Sequence, residues 1–438
     1  MDENEQIATT PNKTEEQTDT IKDQTRIMIN ELLNIQQYQI ELTDERATPL
    51  MNSEQLSNQG CGDTDNYDRD AGDGCAKHAK RDSLYLSISE DLPELIGPLQ
   101  VNTNLQNIKK LFQGQLVGPE SFAAGPDGSL YTGTADGKIW RIKDGQLKLV
   151  TRTGRDDAAC GQFHMEPLCG RPKGMKLDSE GYLIVADSYK GILKVNVDTG
   201  DKQVLLDKFN GSRFLFLNAL DIARNGTIYF TDSSTKWERR NYRYEVIESN
   251  SLGRILALDP ITLTSWLVTD GLYLANGLYL SEDQSFLLVA EMSVSRLSKV
   301  YIDGPKSGEK EVFITNLPGY PDNIKPNARG NLYVGMGSVR FQGSSAIGSF
   351  LDIVAPYPFI KRFITKIVPP SLFDIFLPQH ALMLEISLDG RIVTSHHDPG
   401  AKALYALSEA FQYEDYVYLG HFNLPFLGVI EVKDLHPD

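Results

Sequence analysis

From residue 118 onward, a turn followed by a β-rich run recurs at intervals of about 50 residues, the self-similarity of a repeat fold. The copies are Asp127-Gly128-Ser-Leu-Tyr-Thr-Gly, Glu180-Gly181-Tyr-Leu-Ile-Val-Ala, Asn225-Gly226-Thr-Ile-Tyr-Phe-Thr, Asp283-Gln284-Ser-Phe-Leu-Leu-Val-Ala, Arg329-Gly330-Asn-Leu-Tyr-Val-Gly and Asp415-Tyr416-Val-Tyr-Leu-Gly. Most are followed by a further strand, such as Gly191-Ile-Leu-Lys-Val. Turn signals bounding alternating Ile, Val, Tyr and Phe mark antiparallel strands. Several strands per repeat make a propeller blade, and six repeats make six blades around a central channel. The expected fold is therefore an all-β six-bladed propeller. The stretch between Gly330 and Tyr416 is longer than the other intervals and holds an insertion near residues 341–381. Its apolar and basic core, Pro356–Pro378, should form one or two short helices. They could cover a face of the propeller as a lid, or dock on a membrane surface through their Phe/Ile face and Lys/Arg rim.

The register of the repeats predicts a site. Eight residues before each turn position stand Glu120, Lys173, Asn218, Asn276, Asp322 and Ser408, all polar. The first strand of each blade lines the axis, so these side chains should ring one mouth of the channel. Glu120, Asn218, Asn276, Asp322 and the adjacent Asn323 offer only carboxylate and amide oxygens. Hard oxygen donors suit Ca²⁺, whereas Mg²⁺ demands tighter octahedral geometry and Zn²⁺ prefers His or Cys. Asn and Asp also form turns and caps, which is the bland alternative for any one of them.

Charge limits the partners. The chain carries 59 acidic and 43 basic side chains, a formal charge of −16, which argues against nucleic acid. Residues 1–82 hold most of that excess and only two aromatics, Tyr38 and Tyr67, so they read as a disordered acidic tail. Residues 83–117 then lead into and pack on the propeller, which runs from 118 to 438. No stretch of 18 apolar residues predicts a transmembrane helix. The N-terminus, Met-Asp-Glu-Asn-Glu, lacks the features of a secretory signal. Cys61 and Cys75 lie in the tail; Cys160 and Cys169 close a short loop, as a disulfide or as two unrelated thiols. A disulfide implies an oxidising compartment, at odds with the missing signal. Sequons at Asn12, Asn210 and Asn225 permit glycosylation, although Asn225 also suits a tight turn.

The segments Val117-Gly-Pro-Glu-Ser, Cys169-Gly-Arg-Pro, Val185-Ala-Asp-Ser-Tyr-Lys-Gly, Tyr229-Phe-Thr-Asp-Ser-Ser-Thr-Lys-Trp, Pro318-Gly-Tyr-Pro-Asp-Asn-Ile and His397-Asp-Pro resemble the strictosidine-synthase-like family, above all its adipocyte plasma membrane-associated group. The resemblance spans roughly residues 95–432 and implies a six-bladed propeller akin to paraoxonases and to regucalcin and gluconolactonases. It implies a calcium held by Glu120, Asn218, Asn276, Asp322 and Asn323, a Cys160–Cys169 bond, and a membrane-associated or secretory setting. Cytoplasmic residence stays open from the sequence.

The departures from the family matter as much. Ser408 stands where strictosidine synthase has its catalytic glutamate, and Glu409 should point to the other face of the strand, so the plant condensation is not expected. Lys173 and Asp187 replace the paraoxonase histidine pair. Channel-bound calcium could polarise an ester or lactone carbonyl, with Glu120 or Asp322 positioning water. Lys173 could add charge beside the oxyanion or pair with Asp187. His397 could supply a base or be a turn residue before Pro399. The expectation is a calcium-dependent esterase or lactonase, against a non-catalytic binding or adhesion propeller.

Overall fold

In the computed structural model, which describes residues 91–344, 354 and 356–436, each repeat supplies the first hairpin of a four-stranded antiparallel sheet. The acidic tail, with Cys61, Cys75 and the Asn12 sequon, lies outside these residues. Blade 1 runs through Phe122–Ala124, Leu130–Gly133, Lys138–Lys143 and Gln146–Arg152. Blade 2 is Pro172–Leu177, Leu183–Asp187, Gly191–Val195 and Lys202–Leu206. Blade 3 is Leu217–Ile222, Ile228–Asp232, Gly253–Leu258 and Ser265–Leu272. Blade 4 is Ala275–Leu280, Phe286–Glu291, Arg296–Tyr301 and Lys310–Ile314. Blade 5 is Gly319–Pro326, Leu332–Val339, His380–Ile386 and Ile392–Pro399.

Blade 6 is composite. Glu409–Tyr413, Tyr416–Gly420 and Leu427–Glu431 come from the C-terminal end, and the outermost strand, Lys109–Leu111, comes from before blade 1. Lys109 faces Val429 and Leu111 faces Leu427, so the two ends of the described chain close the ring. By sequence Lys109–Leu111 falls in the 83–117 segment leading into the propeller, yet it pairs as a blade strand.

The turn chemistry explains why the motif recurs. The inner hairpins of blades 1, 2, 3 and 5 need one residue with φ between 79° and 90°, and glycine fills it at 128, 181, 226 and 330. Blade 4 puts Gln284 there instead, at φ 62°. A second glycine requirement acts between blades. A Cβ on Gly277 would lie 2.3 Å from the Asp322 carbonyl oxygen, and one on Gly174 2.7 Å from Ala219 Cα. Each follows a ring residue on an inner strand, so the missing side chain lets consecutive inner strands touch. Apolar clusters fill the seams, as with Ile184, Phe230 and Leu256 between blades 2 and 3, and Leu288, Val334 and Leu384 between blades 4 and 5.

Two excursions leave the sheets on the same side. In blade 3, the stretch between the second and third strands forms helix α2 (Tyr242–Glu248); a shorter helix, α1 (Glu166–Cys169), precedes blade 2. In blade 5, the expected insertion joins the second and third strands and forms helix α3 (Pro358–Ile367), followed by a 3₁₀ stretch, Pro370–Phe376. α3 packs on α2: Thr365 Oγ1 donates to Glu248 at 2.8 Å, and Tyr244 donates to the Val368 carbonyl at 2.9 Å. Cys160 and Cys169 are joined as a disulfide. Among the described residues, no helix is long and apolar enough to cross a membrane.

Candidate functional site

Four of the five oxygen-bearing ring residues border a single small cavity where the inner strands begin. Glu120, Asn218, Asn276 and Asp322 line it together with Lys173. All five are at least 95% buried. The cavity has room of about 20 Å³ for a water-sized occupant, enough for one ion or one water. Asn323 is buried beside it but is not in the lining; its backbone N–H donates to the Ser408 carbonyl at 2.9 Å. Ser408 is fully buried and also outside the lining.

Three oxygens on this cavity have no partner: Asn218 Oδ1, Asn276 Oδ1 and Asp322 Oδ1. Their neighbours explain the orientation. Ser233 donates its hydroxyl to the Ala275 carbonyl at 2.6 Å, so it can only accept from Asn218 Nδ2 at 3.2 Å, leaving Oδ1 free. Asn276 Nδ2 is turned to Met292 Sδ at 3.3 Å. Thr231 donates to the Asn276 carbonyl at 2.7 Å and accepts from the Ala219 N–H at 2.9 Å, tying the inner strands of blades 3 and 4 together. A buried acceptor left unpaired costs about 1–3 kcal/mol, so three on one cavity call for a shared donor or cation.

Glu120 is the exception, because both its oxygens are engaged. Arg171 donates to Oε2 at 3.0 Å, and Lys173 Nζ is in direct contact with Oε1. Lys173 therefore pairs with Glu120 and not with Asp187, whose Oδ1 accepts the backbone N–H groups of Tyr189 and Lys190. Burial, with the nearby Arg239 charge, pulls the Lys173 ammonium down to about 7. Burial raises the Asp322 carboxyl to about 6, against the pull of Lys173. Glu409 does not line the cavity: Ser121 Oγ and the Phe122 N–H donate to it at 2.7 and 2.8 Å.

Several residues here carried no signal in the register argument. Phe216, Arg239, Tyr242, Leu274, Met292 and Phe422 complete the lining. Tyr242 opens α2 and meets Phe422 edge-on at 5.8 Å, closing the mouth. Arg239 is held by Glu166 at 3.0 Å. Phe216 and Leu274 stand two residues before the ring residues Asn218 and Asn276, a shared position that counting could have found, whereas Arg239 and Tyr242 come from an excursion that shares no period with the repeat. At the other end of the inner strands lies a wider cavity of about 650 Å³, bordered by Phe122, Lys176, Asp221, Tyr279, Lys325 and Phe411.

His397 needs correction. It sits on the outermost strand of blade 5, fully buried and away from the ring, and is neither a turn residue nor a base for the channel. Its Nδ1 meets His380 Nε2 at 2.9 Å and its Nε2 meets Ser395 Oγ at 2.8 Å. Burial lowers it to about 4, so it is a neutral structural side chain. Asn210 and Asn225 are exposed on tight turns.

Comparison with known proteins agrees with this architecture. The strictosidine synthase family model matches residues 218–305, and that of the strictosidine synthase-like N-terminal region matches residues 97–142. The adipocyte plasma membrane-associated protein of Rattus norvegicus is 38% identical over 347 residues, which is 78% of this chain and 91% of the rat protein. The strictosidine synthase-like 6 protein of Arabidopsis thaliana is 31% identical, over 78% of this chain and 85% of that protein. Among solved structures, a gluconolactonase from Xanthomonas campestris superposes with a TM-score of 0.51 at 16% identity, over 78% of this chain and 95% of its own.

Proposed function

The chain belongs to the strictosidine synthase-like family, and from that premise we propose that it is a calcium-dependent hydrolase of esters or lactones, with the ion at the lidded end of the channel. The observation that carries this reading is the set of three unpaired, buried oxygens, Asn218 Oδ1, Asn276 Oδ1 and Asp322 Oδ1, on a cavity of one-ion size. Glu120 would complete the set, and Asn323 is the neighbour that the sequence adds. The donors fit the ion: they are hard oxygens, and two carboxylates match a divalent charge. Calcium bound there would polarise a substrate carbonyl.

The chain's own residues supply the rest. Lys173, neutral for part of the time near pH 7, can leave Glu120 and hold or give a proton beside the carbonyl. Asp322 and Glu120 can orient water. Phe216, Tyr242 and Phe422 exclude bulk solvent, and α2 must move for an ester-sized molecule to enter. The fold relative from Xanthomonas is named a gluconolactonase, which makes lactones the first substrates to try.

The test is hydrolysis of an aryl ester and lactone panel by the purified chain, with calcium titrated calorimetrically. Activity should vanish with a calcium chelator and return with calcium, and Asp322→Ala should weaken calcium binding by about 100-fold or more, since even outer-sphere partners act on the 10–100-fold scale. Hydrolysis indifferent to both would end this reading.

A second reading rests on Lys173. Its ammonium already sits on Glu120 and supplies the positive charge that a metal would. In that case the molecule is a non-catalytic binding propeller with a rigid, ion-paired channel.

The relatives named plasma membrane-associated direct attention to α3. Its inner face, Lys361, Ile364 and Thr365, is buried, while Phe359, Phe363 and Ile367 are 37–61% exposed beside the exposed Arg362 and Lys366. The helix is thus a lid with an apolar, basic-rimmed outer face, suited to an anionic lipid surface.

A further inference from the structure

Outside the channel, one cluster combines ligand-type side chains with unsatisfied buried atoms. We propose that Glu385, His396 and His436 bind one divalent cation of the zinc class, clasping the C-terminal end of the chain to blade 5. The carboxylate and imidazole ligand atoms lie within 4.8 Å of one another. Glu385 is on the third strand of blade 5 and His396 on the fourth. His396 faces Met383 and Glu385 faces Thr394, so the two ligands are diagonal neighbours on one face of the sheet. His436 arrives from a different part of the chain, just after the terminal helical turn Val432–Leu435 that follows blade 6.

The second observation is what these groups lack. Glu385 and His396 are 99–100% buried, yet Glu385 Oε2 and His396 Nε2 have no hydrogen-bond partner. The remainder of the carboxylate is fully used: Oε1 accepts from Asn327 at 2.9 Å and Asn331 at 2.8 Å, with Arg329 at 3.4 Å. Its bare oxygen therefore faces His436 Nε2, at 3.7 Å. A tetrahedral ion with ligands at about 2.0–2.2 Å holds them about 3.4 Å apart, so Glu385 Oε2 and His436 Nε2 would close by about 0.3 Å and the widest pair, within 4.8 Å, by at most about 1.4 Å.

The donor set decides the metal. Two imidazole nitrogens and one carboxylate oxygen are poor for Ca²⁺ or Mg²⁺ and suit Zn²⁺, with water in the fourth position. Tyr333, directly opposite Glu385 on the sheet and 3.1 Å from His436 Nε2, stands where it can bond that water. Asn104 Nδ2 lies 3.1 Å from His396 Nδ1 and donates to the Leu435 carbonyl at 3.3 Å; a ligating His396 carries its proton on Nδ1, so the Asn104 amide must turn end for end to accept it and gives up the Leu435 bond.

The full-length chain, stripped with chelator, is titrated with Zn²⁺ by calorimetry and metal analysis. Wild type should take up one more equivalent than Glu385→Gln, and one more than His436→Ala. Zn²⁺ should raise the thermal midpoint of wild type but of neither variant, whereas Ca²⁺ should not distinguish them. His436 is partly exposed, so its variant serves should Glu385→Gln fail to fold. Zinc held by Cys61, Cys75 or His78 stays in every variant and cancels in the difference. X-ray absorption of that one equivalent should show nitrogen and oxygen only. Equal zinc uptake by wild type and the His436 variant, no uptake at all, or sulfur around the ion would overturn the proposal.

Discussion

Lys173 decides which of the two readings of the channel holds, because one side chain carries both a charge and a position. Lys173→Met removes a like charge beside the calcium ligands. At an effective dielectric of about 20, that is worth at least about 1.4 kcal/mol, or tenfold. Calcium affinity should therefore rise about tenfold by calorimetry if the cavity is an ion site. Should the ammonium itself be the cation of the channel, the same variant would gain no calcium affinity and would unfold at a lower temperature, with Glu120 left buried beside Arg171 alone. His421 gives a test at the same scale. Its Nδ1 accepts the backbone N–H groups of Asn423 and Leu424, and burial, then Arg171, lowers it to about 3. The folded value lies below the unfolded one, so the unfolded chain takes the proton first. The stability that His421 contributes is complete above pH ~6.5 and is lost as pH falls toward ~3, by about 1.4 kcal/mol per unit. Denaturant unfolding between pH ~7 and ~4 should show a shallower decline for His421→Asn than for wild type.

At the scale of the element, an inner strand does two jobs: it carries a ring residue and lets the next blade approach. Gly277 sits directly after Asn276, and a methyl group there meets the Asp322 carbonyl. Gly277→Ala should cost about 2–3 kcal/mol, read as a lower unfolding midpoint. It should also weaken calcium binding, because the shift falls between two of the cavity's oxygen donors. Why part of this was legible in the sequence follows from the same strands. The turn glycines and the alternating runs recur because each blade repeats the same backbone, and counting back from Gly226 and Gly330 finds Asn218 and Asp322. Asn323 shows the limit of counting: one position along the strand it leaves the cavity lining. Ser233 and Thr231 were visible in the sequence only as letters of a family motif; their hydroxyls have a role once blades 3 and 4 lie side by side. Arg239 and Tyr242 follow no period, and His397, which the sequence offers as a base or a turn residue, lies on the outermost strand of blade 5, a full blade-width from the axis.

At the scale of the molecule, the lid and the closure set the outward behaviour. The outer face of α3 predicts that the protein floats with vesicles containing anionic lipid, and that Phe359→Asp with Phe363→Asp reduces flotation several-fold while leaving the unfolding midpoint within about 0.5 kcal/mol, as for exposed positions. Equal flotation by the double variant would remove the helix from any membrane role. The lead-in residues matter to this scale too. Asn102 bonds the Ser395 carbonyl at 2.7 Å and the His397 N–H at 3.1 Å, covering the otherwise open edge of blade 5.

The composite sixth blade has a further consequence, for the order of events on the ribosome. Strand Lys109–Leu111 leaves the exit tunnel before any other strand of the ring, and its partner, Leu427–Glu431, leaves after all the others. A nascent chain can stack five sheets in sequence but cannot shut the circle until Leu427–Glu431 has emerged. A message truncated before codon 427 therefore yields an open arc with an unzipped rim, a natural target for chaperones and proteases.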